Sequence, residues 1–308
     1  MAKLTRENFN QLTLSPTDGA WGTELMKLGG ASSELKELWN ISAPDKVLRV
    51  ARSYVEAGAR IILTNTFSAN RVVLERHKAA GRSTELSRAG AAISRQAAGD
   101  QALVFGSIGP TGKLVSMKQL AVADAEAAFA EQAVALAEGG ADAIVIETMA
   151  DIEEAKAALR ACLGACNLPV GVSFTFDSGK EKNRTMMGVT PAQAWKAAQE
   201  GGASFIGANC GIGIDAYVKV ARELAQCGTD LPLWIKGNAV APRWLPTDPP
   251  ITTPGPRTSA APCRSWWRQA CASSAAVAVR RRPMSPLSSL PSRAIRASSP
   301  APDSRPHS

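Results

Sequence analysis

Glu147 closes the very apolar run Ala143–Ile146 and is followed by Thr148. A carboxylate there either pairs structurally or holds a cation such as a substrate ammonium, and the residue alone leaves both readings open. Asp18-Gly19 follows another short run and offers either an ordinary turn or backbone and carboxylate contacts to a polar ligand. Thr64-Asn65-Thr66 and Gly106-Ser107 end two more runs. Cys210 follows Asn209 in Gly207–Gly211 and faces a loop rather than a core. A lone Cys is ordinarily a small buried apolar residue, so this thiol needs context before it counts as chemistry. Cys162 and Cys166 stand four apart with no His nearby and read as packing residues. His77, in a polar stretch, and His307 read as solvated. The chain contains no Ser-His-Asp set, no P-loop and no G-x-G-x-x-G motif.

Five polar or Gly-rich sets, each directly after an apolar run, require elements that bring strand ends together. The candidate strands are Pro16–Ala20, Arg60–Asn65, Ala102–Ser107, Ala143–Glu147, Pro169–Phe174, Phe205–Ala208 and Leu231–Lys236. Amphipathic stretches separate them: 44–57, 83–98, 121–138, 151–163, 191–200 and 215–226. Several end in Gly, as in Glu138-Gly139-Gly140, which suits a helix C-terminus because Gly tolerates the left-handed conformation. Alternation at this spacing predicts a (β/α)8 TIM barrel, incomplete here because only about seven strands can be found. Active sites of such barrels lie at the C-terminal strand ends, where the five sets fall.

Charge divides the chain into two objects. Residues 1–238 hold 25 Lys+Arg and 25 Asp+Glu, whereas 239–308 hold 10 Arg, no Lys, no Glu and two Asp, so the whole net charge of +8 sits in the last 70 residues. That segment also carries 13 of the 19 prolines. We expect residues 1–238 to form the barrel domain and 239–308 to be an irregular or disordered tail, non-native in origin, with no strand. The N-terminus has no apolar signal region and no apolar run approaches the roughly 20 residues of a membrane span. Six cysteines in 308 residues do not make a disulfide scaffold. A cytoplasmic setting with no membrane partner is expected.

The motifs DGAWGTEL (Asp18–Leu25), TNTFSANR (Thr64–Arg71), GSIGPTG (Gly106–Gly112), IETMADIEEA (Ile146–Ala155), MMGVTP (Met186–Pro191) and GANCGIG (Gly207–Gly213) together resemble the homocysteine S-methyltransferase family. The resemblance covers roughly 16–239 and is nearest in motif to the cobalamin-dependent methionine synthase branch. It implies methyl transfer to a zinc-bound homocysteine thiolate, giving methionine. Cys210 then matches the first of three zinc cysteines and Glu147 the carboxylate that holds the homocysteine ammonium. Asp18 and Gly19 match the substrate loop, and Thr66 and Asn209 lie in site motifs. The methyl donor implied is methylcobalamin on a corrinoid protein or domain, betaine, or S-methylmethionine.

The family's remaining two zinc cysteines form an adjacent pair in G-G-C-C-G, which this chain lacks. Cys263 and Cys271 stand eight apart in the tail and do not match it. Activity is therefore expected to be impaired. Read one base out of register, the codons of Ser273–Arg280 permit Val-Gly-Gly-Cys-Cys-Gly-Thr, and the resemblance stops at Val240, so the tail reads as a shifted frame. Two other readings compete. One is a catalytically inactive barrel relative, or a small-molecule binder, whose Arg280–Arg282 and Trp266-Trp267 would meet nucleic acid or an acidic surface; nucleic acid is disfavoured. The other is an aldolase-type barrel with Lys236 as its Schiff-base lysine, against which the matched motifs argue.

Overall fold

The computed structural model describes residues 4–238, except Ile212, together with Val277–Val279. Three helices, α1 (Trp21–Lys27), α2 (Trp39–Ser42) and α3 (Pro44–Glu56), precede the first strand, β1 (Ile61–Leu63). Then come α4 (Arg71–Glu75), α5 (Ser83–Ala98), β2 (Leu103–Ile108), α6 (Val122–Glu138), β3 (Ala143–Met149), α7 (Ile152–Ala165) and β4 (Val170–Phe174). The body ends with α8 (Pro191–Glu200), β5 (Phe205–Cys210), α9 (Ile214–Cys227) and β6 (Leu233–Gly237). Strands β1 to β6 lie side by side in chain order and all run parallel, forming a curled half-barrel. No helix of the described residues is long and apolar enough to cross a membrane.

Local sequence explains where the helices begin and end. Thr190 and Gln193 cap α8 reciprocally, side chain to backbone in both directions, and Pro191 sits in the first turn, where its missing N–H costs nothing. The Asp151 carboxylate accepts the Glu153 N–H at the start of α7. Gly140, after α6, takes φ +95°, as its place in Glu138-Gly139-Gly140 anticipated.

Alternation along each strand sends successive side chains to opposite faces. Ile62, Val104, Ile144, Ile146, Val172, Ile206 and Ile235 point outward into the helix layer. Ile61, Leu63, Leu103, Phe105, Ala143, Val145, Phe205 and Trp234 point inward and meet Leu4 and Phe9 of the N-terminal segment. Phe9 stacks on Phe205 at 4.9 Å between ring centroids, and Phe105 stacks on Trp234 at 5.6 Å. Arg6 anchors this plug through the carbonyls of Leu163 and Leu168, at 2.9 and 3.0 Å. A Cβ at Gly171 would stand 2.2 Å from the Phe205 ring, so only Gly leaves room for the floor. The barrel interior is thus closed at its N-terminal end by aromatic packing.

The structure corrects two expectations. The first predicted strand, Pro16–Ala20, is reduced to one parallel bridge between Thr17 and Ile61. The chain must leave the sheet at once, because the Asp18 carboxylate turns back to accept the Leu63 N–H and α1 starts at Trp21. Among the described residues the sheet therefore has six parallel strands, and the predicted strand Pro16–Ala20 is not one of them. The second correction concerns the tail. Val277–Val279 forms a short strand, β7, antiparallel to β6 with Leu233 opposite Val279. β7 thereby covers that edge of β6. No proline falls between Pro262 and Pro283, and Val277-Ala278-Val279 places two β-branched valines within that window. The remaining tail residues lie outside the described ones.

Phe205→Ala should remove the centre of the aromatic floor and cost about 3–5 kcal/mol. A urea titration checks this: the midpoint should fall sharply. An unchanged midpoint would show that the floor does not hold the barrel.

Candidate active site

Polar side chains replace apolar ones on the inner face as the strands approach their C-terminal ends. Ser107 follows Phe105 by two residues, Glu147 follows Val145, Asn209 follows Phe205 by four and Lys236 follows Trp234, so the pleat aims all four inward above the floor. They border a cavity of about 790 Å³. All six residues predicted from sequence line it: Asp18, Gly19, Thr66, Glu147, Asn209 and Cys210.

Asn209 is the centre of the network. Its Oδ1 accepts the Thr148 N–H at 2.8 Å and the Ser173 hydroxyl at 2.7 Å. Its Nδ2 donates to Thr148 Oγ1 at 2.6 Å and to Glu147 Oε2 at 3.2 Å. Its backbone carbonyl accepts the Tyr217 hydroxyl at 2.6 Å. One buried amide thereby ties the ends of β3, β4 and β5. Glu147 also accepts the Ser107 hydroxyl on Oε1 at 2.5 Å. Burial pushes the Glu147 carboxyl above the ordinary range, against the opposing pull of Lys236 and the Ser107 hydrogen bond.

Two non-glycine residues at the strand ends hold left-handed backbone, Thr148 at φ +64° and Cys210 at φ +63°. Such conformations cost roughly 1–2 kcal/mol each and persist where surrounding contacts over-determine them. Here they bring Thr148 Oγ1 and Cys210 Sγ to 3.5 Å at the cavity wall. Burial raises the Cys210 thiol above its ordinary range, with Thr148 opposing.

Asp18 is fully buried and its carboxylate is heavily engaged. Oδ2 accepts Trp21 Nε1 and the Leu63 N–H, both at 2.6 Å, and Oδ1 accepts Lys236 Nζ at 2.6 Å. Gly19 packs under Tyr54, where a Cβ would meet the ring at 3.1 Å. Thr66 spends its hydroxyl on Thr64 Oγ1 and the Ser107 carbonyl, at 2.6 and 2.7 Å, which binds the end of β1 to β2.

Sequence reasoning missed Lys236 as a partner of Asp18, and Ser173 and Tyr217 as supports of Asn209. The step of two from Trp234 to Lys236 was the available signal for the first.

A zinc site does not fit the described residues. Catalytic zinc ordinarily has three protein ligands and one open position. Cys210 has Thr148 and Asn209 beside its sulfur, and among the described residues no group of three His, Cys, Asp or Glu could hold a metal ion. Cys263 and Cys271 lie outside the described residues.

Fold and site together define a parallel barrel with its polar cluster at the C-terminal strand ends, and comparison with known proteins agrees. The family model of homocysteine S-methyltransferase matches residues 17–276, and the chain belongs to that family. The match continues beyond residue 239, where the motif resemblance was expected to stop. Methionine synthase of Mycobacterium tuberculosis is 30% identical over 242 residues, covering 73% of this chain. That of Mycobacterium leprae is 29% identical over the same length. The chain spans about a fifth of the length of these curated relatives, 20% in each case. Among solved structures, the metallated form of the homocysteine methyltransferase MmuM from Escherichia coli superposes with a TM-score of 0.65 at 19% identity, covering 76% of this chain and 87% of that one. Its oxidized form gives 0.62 at 20% identity, covering 72% and 81%. These structures share the fold.

Asn209→Ala should leave the buried Ser173 hydroxyl unpaired, at about 1–3 kcal/mol, and the half-buried Thr148 N–H without its partner. The urea midpoint should drop with its slope unchanged. A variant as stable as the parent would remove Asn209 from the centre of the network.

Proposed function

We propose that residues 1–238 form an amino-acid thiol cradle of the homocysteine S-methyltransferase type, and that homocysteine is the methyl acceptor. The observation that carries this reading is the convergence of Glu147, Asn209 and Cys210 on one cavity. Glu147 is the anion for the ligand ammonium. Asn209 holds that carboxylate and the Thr148–Cys210 turn in fixed relation. Cys210 marks the sulfur end. Gly19 and Thr66 shape the wall.

Methyl transfer to homocysteine sulfur, giving methionine, requires a thiolate, because the thiolate is the nucleophile. In the family scheme zinc supplies it, but among the described residues Cys210 is the one thiol that lines the cavity. We therefore assign this chain substrate recognition with impaired methyl transfer. Residues 239–308 fit a shifted reading frame; the nucleotide sequence across codons 236–244 checks that origin, and an intact frame there would refute it. Cys162, Cys166, Cys210 and Cys227 are free thiols, which supports a cytoplasmic setting.

Glu147→Gln should weaken L-homocysteine binding by tenfold or more at neutral pH, because a hydrogen-bonded charge partner is worth about 1.5–3 kcal/mol. The parent should also lose affinity as pH falls, beginning above the ordinary carboxylate range, since the raised pKa of Glu147 protonates it early. The Gln variant should lack that acid limb. Calorimetric titration across pH checks both; equal affinities for the two proteins would overturn the assignment of Glu147.

A further inference from the structure

Lys236 is the buried cation of the cavity. Its side chain is 12% exposed beside an Asp18 that is 0% exposed. An ammonium has three N–H donors, and among the described residues Asp18 Oδ1 is the one hydrogen-bond acceptor on Nζ. Lys36 also borders the cavity, but its ammonium is exposed at the rim and donates to the Ala31 carbonyl at 2.9 Å. Asp18, with three donors on its two carboxylate oxygens counting Lys236, is committed to holding protein groups.

Position adds to this. Lys236 is the register partner of Asn209 across β5 and β6, and Asn209 Nδ2 lies 3.2 Å from Glu147 Oε2. The cation and the Glu147 anion therefore flank one amide. A zwitterion whose charges share one α-carbon matches that pair, with its ammonium toward Glu147 and its carboxylate toward Lys236.

We propose that Lys236 is a specificity residue that reads the α-carboxylate of the amino-acid ligand, with Asp18 as the positioning residue that orients its ammonium. This rests on the cavity being an amino-acid thiol site. Asp18 then acts on the ligand through Lys236, rather than by contacting it as the family resemblance implied.

The test is a cycle of two ligands and two proteins, read by calorimetry at neutral pH. L-homocysteine is compared with L-homocysteinol, which keeps the ammonium and thiol but carries CH2OH in place of the carboxylate. The unaltered chain should bind homocysteine at least tenfold more tightly than homocysteinol. In Lys236→Met the gap should close to within twofold, with homocysteinol affinity little changed. Lys236→Met leaves Asp18 buried without its cation, a change that can unfold a protein. If it does so here, the double variant Asp18→Asn with Lys236→Met carries the same cycle. Equal affinity of the unaltered chain for the two ligands overturns the proposal with no variant needed, and so does a gap that survives removal of Lys236. If the unaltered chain binds neither ligand, the failure belongs to the reading of the cavity as an amino-acid thiol site.

Discussion

The site depends on one buried amide. Asn209 takes hydrogen bonds from Thr148 and Ser173 and gives them to Thr148 and Glu147, so its orientation fixes three strand ends at once. Tyr217 locks its backbone from α9. The left-handed turns at Thr148 and Cys210 are held by these bonds. Below them, Phe9, Phe105, Phe205 and Trp234 close the barrel to water. A carboxylate held over an apolar floor is poorly solvated, which is why Glu147 is pushed toward its neutral form and why a ligand cation should be bound strongly there.

The second constraint is the ion pair between Asp18 and Lys236. Asp18 belongs to the segment that gives the sheet one bridge at Thr17, and Lys236 belongs to β6 at the other end of the parallel order. Their contact joins the two ends of a half-barrel whose last parallel strand is flanked by the antiparallel β7. Beyond Asn238 the described residues comprise Val277–Val279 alone. Among the described residues the cavity is lined by Asp18, Glu147, Asn209, Cys210 and Lys236, and no group of three His, Cys, Asp or Glu could hold a metal ion.

Much of this was legible in the sequence because it rests on period and position. Apolar runs set β2 to β6, and the polar residues at their ends, Glu147, Asn209 and Cys210, line the cavity. What escaped was set by tertiary contact. The Pro16–Ala20 run has strand character, yet the demand of Leu63 N–H for the Asp18 carboxylate pulls the chain away after one bridge. The tail was judged by its prolines, although the proline-free window around Val277–Val279 left room for β7. Lys236 was weighed for Schiff-base chemistry. Its alternation with Trp234 pointed to the barrel interior, but sequence held no sign that Asp18, 218 residues away, would be its partner. Ser173 sits inside a strand of ordinary composition, so its bond to Asn209 left no trace in pattern.

The central claim is that the cradle recognises homocysteine through its own side chains, without a metal. The most direct measurement is calorimetric titration of L-homocysteine into the chain after dialysis against a chelator, with zinc content determined on the same sample. The account predicts saturable binding at one ligand per chain, with zinc far below one per chain. Homocysteine binding that vanishes with the chelator and returns with one equivalent of zinc would contradict it.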